Sequence, residues 1–218
     1  QAEVQSVFAD ELVPTAAGSP IGVVGVVDES GFAKKGNHSA GVARQHNGRL
    51  GKEDNCQVGV YLVGVTPGGS ALLEHQLYLP ESWCEATQAC RERRAKVHIP
   101  ESVSFQTKPQ IAAGLIRQTI ALGVAPLDWI TADEEYGRNG EFLDEVEELG
   151  LRYVVEAPVN TPVWTEDPAV CVPPYAGQGL VPRLASRSPV RPGVRLGPAP
   201  SARACDATDH ARGGAGHM

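Results

Sequence analysis

The chain has 218 residues, 42% hydrophobic and 21% charged, enough to bury a core of one to one and a half domains at the usual ~100–200 residues each. Its formal net charge of -7 argues against a wholly basic nucleic-acid coat and leaves room only for a local basic patch. No apolar run approaches the ~20 residues that span a bilayer. Five cysteines (56, 84, 90, 171 and 205) without a C-x-x-C pair argue against a zinc site and point to reduced thiols in a cytoplasmic protein.

Residues 1–20 read as the remnant of an upstream segment, with a short helix over QSVFADELV and then a Gly/Pro-punctuated loop. The chain opens on Gln1 and its only methionine is Met218, as expected of an excised fragment or of a chain lacking an N-terminal piece. IGVVGVVD (21–28) is a β-branched run ending on an acid; apolar on both faces, it predicts a central strand covered on both sides. The Gly-rich stretch 29–55 carries Lys34, Lys35, Arg44, Arg49 and Lys52, with a short strand expected around Ser39–Gln45. CQVGVYLVGVT (56–66) and SALLEHQLYLP (70–80) flank a PGG turn and read as a hairpin.

A polar helical insert is expected over Glu81–Lys96, with Trp83 packed in the core or docking that helix. PQIAAGLIRQTIALG (109–123) has Pro at its start, an apolar stripe of Ile111, Leu115, Ile116, Ile120 and Leu122, and Gly123 where a C-terminal cap belongs. PLDWITAD (126–133) is a second buried-type strand ending on an acid. NGEFLDEVEELG (139–150) is an amphipathic helix closed by Gly150, and LRYVVEAP (151–158) is a third such strand.

Strands that can meander, followed by strands alternating with helices, predict an α/β fold: an antiparallel meander leading into parallel strands, with flanking helices. The strand at 21–28 and the one at 126–133 then lie side by side, and Asp28 and Asp133 face one crevice outside the strand ends, where open α/β sheets bind ligands. Two such carboxylates suit hard cations, Mg²⁺ or Mn²⁺, and a pair of ions would serve phosphodiester chemistry. For either aspartate taken singly, a solvated turn or a helix cap is the plainer reading.

VVDESGFAKKGNHSAGVARQ, NCQVGVYL, LYLPESW, FQTKP and TADEEYGRNGEF occur in this order from about Val24 to Trp164. Together they closely resemble the catalytic core of insertion-sequence transposases of the DDE type, the DDE-superfamily endonucleases. The resemblance implies a ribonuclease-H-like fold over 21–164, incomplete at its C-terminus, and DNA cleavage and strand transfer with Mg²⁺ or Mn²⁺. It implies Asp28, in V-V-D-E-S-G-F, and Asp133, in T-A-D-E-E-Y-G, as the first two catalytic, metal-holding acids.

The family's third acid is a Glu on a helix beyond the third parallel strand. Here the resemblance fades after PVWTEDPA and Glu166 comes too early, so no third acid is assigned. A site short of one carboxylate is expected to hold its second metal poorly and to lose orders of magnitude in rate.

The partners implied are DNA (transposon ends and target), with self-association a further expectation. Lys34, Lys35, His38, Arg44 and Lys52 cluster after the first strand and suit phosphate contact, with a solubilising basic loop as the alternative. Glu29, Glu134 and Glu135 adjoin the two aspartates as secondary ligands or as solvated loop acids. Tyr136 stacks on a base or packs, and Gly137 permits a tight exit turn.

Residues 165–218 hold six Arg, four acids, eight of the 17 prolines and no Ile, Phe or Trp. Such a composition buries too little apolar surface to offset its ordering entropy, so disorder is expected from about residue 177. Either this is a flexible tail or it is a high-GC gene read out of frame. Two other functional readings stand beside the transposase core: a non-catalytic remnant that binds DNA or a full-length transposase, and a stand-alone ribonuclease-H-like nuclease.

Overall fold

The computed structural model describes residues 1–161; Trp164, Glu166 and the tail expected to be disordered lie outside the described residues. The expected sheet is present, a six-stranded mixed sheet. Its axis is β1 (Val23–Ala33). β3 (Lys52–Thr66) pairs antiparallel along almost all of β1, from Val65 opposite Val24 to Cys56 opposite Ala33. β4 (Gly69–Tyr78) returns beside β3, and short β2 (Ala43–Asn47) pairs with the first residues of β3. On the other edge of β1, β5 (Leu127–Ala132) runs parallel, followed by parallel β6 (Arg152–Val155). The order β2-β3-β1-β5-β6, with β4 also on β3, joins an antiparallel meander to parallel strands as the sequence pattern predicts.

One face of the sheet carries the main core. Val23 and Val27 of β1, Val60 and Leu62 of β3, Leu73 of β4 and Ile130 of β5 are all buried. Over them lies α3 (Lys108–Ala121), which starts with a capping box in which Thr107 and Gln110 bond each other's backbone N–H, followed by Pro109 in the first turn. Ile111, Leu115 and Ile116 sit in the core as the stripe predicts, but Leu122 is exposed and Thr119 is buried in its place. The helix stops at Ala121, and Gly123 at φ +65° turns the chain away, so Leu122 falls beyond the buried face. α5 (Gly140–Glu148) adds Phe142 and Val146, with the Asn139 side chain accepting from Phe142 N–H at 2.8 Å as its cap.

The N-terminal helix begins earlier than the pattern suggests. α1 (Ala2–Val7) widens into a π turn over Phe8–Leu12. Gln5 Nε2 donates to the Leu73 carbonyl at 2.8 Å and to Glu74 Oε1 at 2.7 Å, fastening this segment to β4. Phe8 is fully buried above Gly64, where a Cβ would collide with its ring. The polar insert is a 3-10 turn at Glu81–Trp83 followed by α2 (Gln88–Lys96). Trp83 anchors a small second core with Val42 and Leu79, donates its indole N–H to the Val42 carbonyl at 2.8 Å, and carries the Arg93 guanidinium 3.6 Å above its ring.

Alternation along β1 sends Val24, Val26, Asp28 and Phe32 to the opposite face. That face differs from the expectation of a strand covered on both sides: Val24, Val26, Val63 and Trp129 are only partly buried by the described residues. β6 likewise alternates between exposed and half-buried positions, as an edge strand does among the described residues. Phe8→Ala tests whether the N-terminal segment belongs to this core. Deleting a fully buried Phe should cost about 3–5 kcal/mol, read as a lower urea midpoint; an unchanged midpoint would make residues 1–20 an idle appendage.

Candidate functional site

The parallel ladder between β1 and β5 ends at the pair Val27 and Ala132. The next residue on each side is an aspartate, so Asp28 and Asp133 continue the register as neighbours. The two then part ways. The sequence pattern ends β1 on Asp28; the strand instead runs on to Ala33, because residues 28–33 keep pairing with Tyr61–Cys56 of β3. Asp133 leaves its strand and caps α4 (Glu134–Gly137), its Oδ1 accepting from Glu135 N–H at 2.9 Å. Asp28 Oδ1 accepts from Glu29 N–H at 2.7 Å. Asp28 is harder to ionise than an ordinary aspartate. Partial burial is the largest cause, the Glu29 N–H opposes it, and the nearby Asp133 carboxylate adds to the rise.

Sequence reasoning did not single out Lys108. This first residue of α3 places its ammonium between two acids, 2.6 Å from Glu29 Oε1 and 3.0 Å from Glu135 Oε2. Burial lowers its pKa, but the two carboxylates outweigh that effect and hold it above the ordinary lysine value. Tyr136 completes the group. Its ring is fully buried and its hydroxyl donates to Glu29 Oε2 at 2.9 Å; burial first, then Glu29, pushes the phenol far above its ordinary range. Stacking of Tyr136 on a base is therefore ruled out, because its ring is packed against Phe142 in the core. Glu29 and Glu135 are ion-paired structural acids, while Glu134 is exposed.

Gly137 belongs to α4 and its backbone has no need of a left-handed turn. A Cβ there would run into the Glu156 carbonyl oxygen, so glycine is required for α4 to approach the end of β6. The only sequence signals for this arrangement were the lysine in F-Q-T-K-P and the glycine in E-E-Y-G.

The basic residues lie farther out. Lys34 follows the last residue of β1, six residues beyond Asp28 and so roughly 20 Å along an extended strand. Its N–H donates to the Asn55 carbonyl at 2.8 Å, and Asn55 Nδ2 bonds the Lys34 and Gly36 carbonyls, fixing the start of the loop that exposes Lys35 and His38. Arg44 and Lys52 sit on the β2–β3 hairpin beside Glu53 (4.0 Å) and Asp54 (3.6 Å). The fold gathers Asp28 with Asp133, and separately gathers the basic residues at the far end of the same strand.

Chemically, Asp28 and Asp133 offer oxygen donors of like charge at adjacent positions, a donor set that suits a hard divalent cation. Among the described residues no group of three or more His, Cys, Asp or Glu is arranged to hold a metal. No described helix is long and apolar enough to cross a membrane.

Comparison with known proteins agrees with these observations. The family model for DDE superfamily endonucleases matches residues 1–211, running past the point near Trp164 where the motif resemblance fades. The probable transposase for insertion sequence element IS701 of Microchaete diplosiphon is 35% identical over 134 residues, which is 61% of this chain and 31% of that protein. The chain therefore spans about a third of its relative's length. No solved structure gives a significant match.

Lys108→Met strands two partly buried carboxylates and should cost about 1–3 kcal/mol, below the ~3–5 range for breaking a fully buried pair from one side, measured by urea unfolding. A loss of less than a few tenths of a kcal/mol would make the bridge ornamental. In a carboxyl NMR titration, Asp28 should ionise above the ~3.9 of an ordinary aspartate, and Asp133→Asn should lower its midpoint. Because the folded value is the higher one, this group's contribution to stability is greatest below the unfolded value and declines as pH rises through the folded one. An Asp28 midpoint indifferent to Asp133→Asn would refute the coupling.

Proposed function

Since the chain belongs to the DDE superfamily endonucleases, we propose that it carries part of the catalytic core of an insertion-sequence transposase, with Asp28 and Asp133 as catalytic acids that hold a divalent cation against DNA. The observation that carries this reading is the register: the two aspartates directly follow the last parallel pair of β1 and β5, and the Asp133 carboxylate is near enough to raise the pKa of Asp28. Mg²⁺ or Mn²⁺ bound there would polarise a phosphodiester and favour attack by a water or a 3′-hydroxyl.

The chain's own residues then have distinct tasks. Asp28, on a strand held on its β3 edge beyond the site, gives a carboxylate of fixed direction. Asp133, tied to the first turn of α4, gives the second. Lys108 pairs with Glu29 and Glu135 and holds those acids away from the cation. Lys34, Lys35, His38, Arg44 and Lys52 contact the phosphate backbone farther along the DNA.

Titration calorimetry with Mn²⁺ tests the reading. The wild-type chain should bind, and the Asp28→Asn/Asp133→Asn double variant should lose that heat; equal heats in both would remove the site. Supercoiled plasmid with Mg²⁺ tests the activity. Slow nicking that vanishes in the double variant supports a catalytic core, while DNA binding without any nicking favours a remnant that only binds.

A further inference from the structure

Phe32 is a large apolar side chain that is 44% exposed, and nothing in the site described above uses it. It lies on β1 four residues beyond Asp28, and the register with β3 is unbroken between them. Period-2 alternation therefore sets both side chains on the same sheet face, roughly 13 Å apart along the strand. The Arg49 guanidinium, from the β2–β3 turn, stands 5.9 Å from the centroid of the Phe32 ring. Around this pair, residues 33–55 carry Lys34, Lys35, Arg44, Arg49 and Lys52 against only Glu53 and Asp54, in a chain whose net charge is -7. An exposed aromatic ring joined to a guanidinium, within a basic stretch of an otherwise acidic core, has the chemistry of a base-stacking platform.

We propose that Phe32 and Arg49 form a stacking site for an unpaired DNA base on the strand whose phosphodiester lies at Asp28. The inference rests on the DNA reading of Asp28 and Asp133 and adds to it a contact and a distance. The roughly 13 Å between the platform and the acids is at most about four nucleotides at the duplex spacing of ~3.4 Å and fewer on an extended single strand, so the base it takes lies within about four nucleotides of the cleaved bond. Phe32 supplies the π face. Arg49, over the same ring, swings aside to admit the base and meets the neighbouring phosphate with its N–H groups. Because every base has a π face, the site tolerates any sequence and selects for unpaired over paired DNA.

The test uses the full 218-residue chain and a fluorescent single-stranded oligonucleotide, with Ca²⁺ present to prevent cleavage and anisotropy as the readout across a salt series. Phe32→Ala should weaken binding roughly 5- to 150-fold with an unchanged salt slope, and Phe32→Trp should restore it. A Lys34→Ala/Lys35→Ala variant should instead flatten the slope by about 1.4, at ~0.7 per phosphate contact on single strands. A duplex of the same sequence should be affected far less by Phe32→Ala. Circular dichroism checks that each variant is folded.

If Phe32→Ala binds the oligonucleotide as tightly as wild type, the platform is refuted while the DNA reading stands. The platform is refuted equally if that variant leaves DNA affinity intact but dissolves a dimer. If the wild-type chain binds neither strand form, the DNA reading itself fails.

Discussion

β1 is shared by two ladders of unequal length. Its parallel ladder with β5 stops after Val27, whereas its antiparallel ladder with β3 continues to Ala33. This mismatch organises the molecule. Where the shorter ladder ends, the sheet splits and leaves Asp28 with solvent on one side and a fully paired backbone on the other. Asp133 is released from β5 at the same level and is caught by the first turn of α4. Had both ladders ended together, Asp28 would sit on a loop and its direction would depend on side-chain packing alone. Backbone hydrogen bonding sets it instead, and those bonds are cooperative with the rest of the sheet.

Charge is distributed around that split in two tiers. Glu29 and Glu135 turn toward α3 and share the Lys108 ammonium, with the Tyr136 hydroxyl as a further donor to Glu29. Asp28 and Asp133 have only backbone N–H donors among the described residues, and the Asp133 carboxylate makes Asp28 harder to ionise. Burial of unpaired acids costs several kcal/mol, so the tier nearest the core is ion-paired to Lys108 while the tier facing water has no cationic partner among the described residues. Adjacent residues in the sequence, such as Asp28 and Glu29, thus serve opposite ends because a strand sends successive side chains to opposite faces.

Much of this was legible in the sequence where the signal is local and periodic. Alternation identified β3 and β4, Gly150 and Gly123 marked helix ends, and the apolar runs at 21–28 and 126–133 identified the two central strands. Readings that failed did so where a distant partner decides the outcome. Nothing near Asp28 says that its strand continues, since the reason lies in Cys56–Tyr61. Leu122 looks like part of the α3 stripe until the helix end is placed one residue before it. For Tyr136 the sequence leaves base stacking and packing open, because the partners that decide it, Glu29 and Phe142, come from separate elements. Lys108 was visible within F-Q-T-K-P, but a lysine at a helix start carries no mark of the two acids it joins.

The Lys108 bridge also bears on how the chain reaches its native state. Its two partners stand 79 residues before it and 27 residues after it, on strands and a helix that meet only when the central sheet has closed. Contacts of such separation carry a large loop-closure cost. A partly folded chain holding only the β1–β3–β4 meander would keep Glu29 without its counter-charge and Asp28 without Asp133. The Lys108 ion pairs and the meeting of Asp28 with Asp133 therefore require the parallel half of the sheet as well as the meander.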